Sequence, residues 1–171
     1  PFELSKRLDD NRPAVRKRAQ ARLAELGAAS IDALEAVWHN GTAMARLHAV
    51  WALSRIDAAQ ARTSIRSALT DADSTVQQAA VHAVSVHRDV KAVPRLRKLV
   101  EAGEPQVRRA AAEALGRIGD PDSIPTILTA VATCSSDRAL EHSLIYALIE
   151  IDQPIQAYAS LGGTSAVETR A

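Results

Sequence analysis

Leu34, Ile65, Leu96 and Ile127 stand 31 residues apart, and so do Trp38, Leu69, Val100 and Val131. A second register, Leu23, Leu53, Val84, Leu115 and Leu148, advances by 30, 31, 31 and 33 residues, so the length differences fall between the two registers. A period of this size is one helical hairpin per unit. A single hairpin cannot bury its own apolar face, so such units are stable only when stacked on one another.

The stretch Glu104 to Val131 shows the unit with all its punctuation. Pro105 suits a first helical turn, where its missing N–H has no intrahelical use, and Val107, Ala111, Leu115 and Ile118 follow at helical spacing. Gly119 is expected to stop this helix. Asp120-Pro121-Asp122 makes the turn, with Asp122 read as N-cap of a second helix whose stripe is Ile124, Ile127, Leu128 and Val131. The wheel places Arg109, Glu113 and Gly116 on the outward side of the first helix.

Val15-Arg16, Val107-Arg108-Arg109-Ala110-Ala111, Ala114-Leu115-Gly116, Ile118-Gly119-Asp120 and Ile124-Pro125 resemble the consensus of short bacterial HEAT repeats of the PBS-lyase HEAT-like type. The resemblance spans about residues 9–156. It implies an all-α, right-handed, armadillo-like α-solenoid of about five HEAT-like hairpins. The segments 47–53 and 137–152 also resemble HEAT segments of large bacterial haem-binding dehydrogenase-like proteins. The sequence has no CxxCH attachment site, so no haem chemistry follows and no cofactor is expected.

Read this way, residues 1–156 form a single solenoid: a partial cap helix at 1–8, repeats at 9–40, 41–70, 71–100, 101–131 and 132–156, then a linker or tail at 157–171. Apolar residues make up 47% of the chain but aromatics only 3%, which suits close helix packing and leaves little material for a deep cavity. The net charge of +1 favours neither nucleic acid nor membrane. The lone Cys134 rules out an intrachain disulfide and a cysteine-rich zinc site. No run reaches the ~20 apolar residues of a membrane span, and no signal peptide is visible. The chain is expected to be soluble: periplasmic or secreted if it belongs to a haem-binding dehydrogenase-like protein, otherwise cytoplasmic. A start at Pro1 is expected of a mature product or a segment of something longer.

Two surfaces stand out as binding candidates. In repeat three Lys91, Arg95 and Lys98 share one helix face, opposite Val93, Leu96, Leu99 and Val100. If second helices line the inner curve, this ridge lies between Gln60, Ser64 and Ser67 on one side and Asp122, Thr126 and Thr129 on the other. It would suit an acidic peptide, a carboxylate or a phosphate. The bland reading is a solvated face. The second candidate is an outer apolar patch of Leu47, Trp51, Tyr146 and Ile149, fitted to a neighbouring domain. Its bland alternative lays Trp51 across Ala21 and Ala24 of the preceding repeat. The apolar excess of the fifth repeat suggests that more protein covers it.

Catalytic motifs are absent: no H-E-x-x-H, P-loop, GxGxxG or GxSxG occurs. His39, His48, His82, His87 and His142 fall at different repeat positions, so no metal site is expected. Asp57, Asp120 and Asp152, at the ends of first helices, are expected to cap the next helix or reach Arg16, Arg46 or Arg108. The sequence therefore reads as a non-catalytic protein-binding module, a segment of a larger bacterial protein, with nucleic acid disfavoured by Asp32, Glu35 and Asp122. The rival readings are a lyase-like or chromophore-handling enzyme, promoted if His82, His87 or Glu113 cluster in a cleft, a HEAT-like nucleic-acid binder, and a structural spacer.

Overall fold

The computed structural model describes residues 1–134, 137–153 and 159. Ser135 and Ser136 of the connector before repeat five, and all of the expected tail 157–171 except Ala159, lie outside them. Every regular element among the described residues is helical, and the chain divides into two compact units, residues 1–84 and 85–171.

In the first unit, α1 (Phe2–Ser5) and a 3-10 turn (Lys6–Asp9) precede α2 (Pro13–Glu25). A second 3-10 turn (Gly27–Ser30) leads into α3 (Ile31–Asn40), followed by α4 (Ala43–Leu53), α5 (Ala59–Ala68) and α6 (Ser74–Val86), whose last two residues open the second unit. The second unit continues with a 3-10 turn (Val90–Ala92), α7 (Val93–Ala102), α8 (Pro105–Ile118), a further 3-10 turn (Pro121–Ser123), α9 (Ile124–Thr133) and α10 (Arg138–Ile151). This is the all-α helical-hairpin fold of α-solenoids.

The registers read from the sequence supply most of the core, with Trp38, Val131 and Leu148 only half-buried. Leu34, Ile65, Leu96 and Ile127 are at most 2% exposed, and Leu23, Leu53, Val84 and Leu115 at most 1%. One turn earlier in the first helices, Ala19, Ala49, Ala80, Ala111 and Leu144 are also buried. At the start of the second helices, Ser30, Ala61, Ala92 and Ser123, 31 residues apart, are all small and buried, Ala61 already within α5. The two serines there are satisfied: Ser30 donates to the carbonyls of Leu23 and Gly27, and Ser123 donates to Asp120.

Repetition extends to the polar ties. In α2, α4, α6 and α8 the residue after the first buried or half-buried apolar position reaches back to a carbonyl of the preceding connection or helix end. Arg16 donates to Asp10, Arg46 to Gly41, Gln77 to Asp71 and Arg108 to Val100. Arg46 also forms a two-point ion pair with buried Asp71, at 2.7 and 2.9 Å.

Helix ends follow the register as well. Gly27 and Gly119 take left-handed backbone at φ 59 and 76, as a stop after a helix requires, and Arg88 and Asp152 hold the same register position at φ 47 and 52. Pro13, Pro94, Pro105 and Pro125 all lie in first helical turns.

Two expectations are corrected. Asp122 does not cap α9. It sits exposed inside the 3-10 turn, while Asp120 precedes that turn and is bound by Arg97 at 2.6 Å and by the Ser123 hydroxyl. Gly116 does not face outward: it is buried, and a Cβ there would lie 2.7 Å from the Ala147 Cα of α10. The glycine permits close approach of two helix backbones, so the side of α8 read as solvent-facing is partly a packing face.

Candidate binding surfaces

The basic ridge belongs to the second unit. Lys91 lies in the 3-10 turn that Asp89 caps by accepting from the Lys91 backbone N–H at 3.1 Å, and Arg95 and Lys98 follow on α7. Opposite them Val93, Leu96, Leu99 and Val100 are buried at 5% exposure or less, which forces the basic side chains outward. Lys91 and Lys98 are exposed, Arg95 is half-buried, and neither lysine ammonium has a partner among the described residues. On α9 and the turn before it, Asp122 and Thr129 are exposed and Thr126 half-buried. The Thr129 hydroxyl donates to Pro125, which leaves its oxygen free to accept. Glu101, also exposed, follows Lys98 by one turn. Gln60, Ser64 and Ser67 belong to the first unit.

The residues of the expected apolar patch fall in different units. In the second, Tyr146 is 50% and Ile149 65% exposed, joined by Ile145 at 44%, which the sequence reading did not single out. Register shows why Ile145 matters: its equivalents Val50, Val81 and Ala112 are each 0% exposed. In the first unit Leu47 and Trp51 are half-buried, and the Trp51 ring meets His82 of α6, with centroids 5.4 Å apart and planes at 59°.

A cleft of about 210 Å³ between α8 and α10 is lined by Glu113, Arg117, His142, Ser143, Tyr146 and Glu150. Ser143 donates to Glu113 at 3.2 Å, Arg117 turns to Ser85 at 3.2 Å, and Arg109 meets Asp137, the N-cap of α10, at 3.5 Å. The sequence could not foresee this grouping, because Glu113 and His142 come from different repeats. In the first unit a groove of about 220 Å³ between α3 and α5 is lined by Glu35, Trp38, His39, Ser64 and Ser67. A larger hollow of about 390 Å³ lies among Phe2, Lys6, Val37, Asn40 and Ala45.

Titratable groups are few at these surfaces. In the first unit His48 is held below its ordinary value of 6.5, first by burial and then by the charges of Arg16 and Lys17. Its Nε2 accepts from the Arg16 Nε at 3.1 Å and its Nδ1–H donates to Gln20 at 2.8 Å, which fixes a neutral tautomer. Asp57 and Asp120 pair with nearby arginines, Arg62 and Arg97. Among the described residues no cluster of three or more His, Cys, Asp or Glu could hold a metal ion, and no helix is long and apolar enough to cross a membrane.

Solved structures share this fold. Over 91% of the chain, at a TM-score of 0.66 and 24% identity, it is similar to a chain of the complex of CpcE and CpcF of phycocyanin lyase from Nostoc sp. PCC7120, covering 67% of that chain. It is similar to an engineered protein at a TM-score of 0.60 and 22% identity, over 98% of this chain and 87% of that one. Human deoxyhypusine hydroxylase, solved in complex with glycerol, matches at a TM-score of 0.61 and 18% identity, over 88% of this chain and 62% of that one. No curated protein matches the chain. The family model for HEAT repeats matches residues 3–85 and again 64–149, and with the buried 31-residue register this places the chain in the HEAT-repeat family.

Proposed function

We infer that this helical repeat scaffold is a non-catalytic docking module, and that α7 is its contact surface for an acidic protein or peptide. The observation that carries the reading is the pair of exposed lysine ammoniums at 91 and 98, without partners among the described residues, beside the accepting hydroxyl of Thr129. Long, unpaired cations on a rigid helix cost little desolvation before contact and meet a carboxylate-rich segment at their tips. Tyr146 and Ile149 supply the apolar contact expected of a neighbouring domain.

The test uses a fluorescein-labelled peptide of alternating Glu and Gly. Saturable anisotropy that weakens with salt, and that is lost in the triple variant Lys91→Glu, Arg95→Glu, Lys98→Glu at unchanged helicity, supports the reading. Equal binding by wild type and triple variant overturns it.

A second reading, an enzyme of lyase-like kind, is favoured by the single cleft that gathers Glu113, His142, Tyr146 and Glu150. It requires that Glu113→Gln and His142→Gln each abolish a turnover shown by the wild type.

A further inference from the structure

The first unit carries an aromatic site apart from the Trp51 and His82 rings. A groove of about 220 Å³ lies between α3 and α5, where Trp38 stands at the register position of Leu69 and Val100, both 0% exposed, and of half-buried Val131. Trp38 is itself half-buried, and its exposed surface forms one wall of the groove. Glu35, from the same helix, lines it beside the indole. One carboxylate oxygen of Glu35 accepts from the hydroxyl of Ser64, itself 8% exposed, so the group is held in place with its second oxygen left to accept.

The one carboxylate in the lining is Glu35, and His39 lines the groove with it. Asp32, one turn before Glu35, is met only at 3.5 Å by the Gln60 amide. No lysine or arginine lines the groove. Arg62 pairs with Asp57 at 2.8 Å, and Arg66 donates to the Thr63 hydroxyl at 2.8 Å. A fixed carboxylate beside an indole, with no lysine or arginine in the lining, is an arrangement that recognises a cationic group: the indole attracts it through its quadrupole, and the carboxylate pairs with it. An anion would meet the Glu35 carboxylate. An apolar ligand would strip water from Glu35 without replacing its hydrogen bonds. The volume suits one side chain and falls short of a drug-sized ligand.

We propose that the α3–α5 groove receives a basic side chain, the guanidinium of an arginine or the ammonium of a lysine, from a protein partner, with Trp38 against the cation and Glu35 paired to it. This site goes beyond the α7 reading, uses none of its residues and takes a ligand of opposite charge.

The chain has two tryptophans, 38 and 51, so its indole N–H resonances form a two-signal assay, assigned with Trp51→Phe. The probe is acetyl-Gly-Arg-Gly-amide, with its citrulline and glutamate counterparts as controls. The Trp38 signal should move saturably with the arginine peptide, while Trp51 stays in place and the controls have no effect. Glu35→Gln should weaken the affinity at least about fivefold, and Trp38→Leu, the residue its register equivalent Leu69 already carries, should remove it at unchanged helicity. Equal movement with the citrulline peptide, an equal affinity in Glu35→Gln, or no movement up to about 50 mM peptide overturns the proposal.

Discussion

In the first unit Trp51 and His82 meet with ring centroids 5.4 Å apart, whereas in the second the same register position is held by Glu113 and Tyr146, and a cleft of about 210 Å³ lies between their helices. Both pairs come from first helices of consecutive repeats. Between α4 and α6 two rings meet, with the His82 imidazole exposed. Between α8 and α10 the carboxylate of Glu113 takes a hydrogen bond from Ser143 instead, and Tyr146 stays half-exposed. The backbones approach closely all the same, since Gly116 leaves no room for a Cβ against Ala147. Buried positions thus fix the path of the chain, and one half-exposed position per repeat decides whether rings meet or a cleft stays open.

The largest effect should come from the buried register that both units share. Leu115→Ala is expected to cost about 2 to 5 kcal/mol in chemical denaturation, against a near-neutral Glu113→Ala. Similar losses from the two would mean that the cleft side of α8 carries as much packing as its core. Next, Gly116→Val should cost about 1 to 3 kcal/mol by forcing α10 off α8. A silent Gly116→Val would show that the close approach is not needed.

The comparison itself is tested by truncating each aromatic. Trp51→Ala should cost about 2 kcal/mol, because half of the ring is buried against its neighbours, and Tyr146→Ala less than about 0.5 kcal/mol. Equal costs would erase the distinction between the ring contact and the open cleft. Arg88→Gly should stabilise the chain by about 1 kcal/mol, relieving a left-handed residue where Gly27 and Gly119 stand in other repeats.

Finally, His48 makes the first unit sensitive to acid. Its value in the fold lies below the 6.5 of a free imidazole, so the unfolded chain takes up the proton first. Stability is therefore expected to be full above about pH 6.5 and to fall as pH drops below it. This component should be missing from the pH profile of His48→Gln, and an unaltered profile would remove His48 as its source.

Much of this molecule was legible because its signals are local and repeated. The stripe residues, the prolines in first turns, the helix stop at Gly119 and the outward phase of Lys91 and Lys98 all follow from helical periodicity and backbone geometry. The basic ridge was read as one helix face; Arg95 and Lys98 do share α7, while Lys91 lies in the 3-10 turn before it. Gly116 was misread because its wheel angle borders the outward arc, and only the proximity of Ala147 turns that border into an interface. The clefts were not legible at all. Glu35 meets Ser64, and Glu113 meets Ser143, across separations of 29 and 30 residues, and nothing in either local stretch marks the pairing.

By itself the sequence determined that this chain is a stack of helical hairpins of about 31 residues, because an amphipathic hairpin of that length has no way to bury its stripe alone. It also determined which residues form the core and which cations stay in water. The tertiary structure decided the rest: that Trp38 lines a groove at a position where Leu69 and Val100 are buried, that Trp51 finds His82, that α10 presents Ile145 where repeats two to four bury their equivalents, and that acids from different repeats come to share a cleft. The physical reason is that periodicity fixes each helix face, whereas the fit of side chains across two faces depends on their volumes and on how closely the backbones approach.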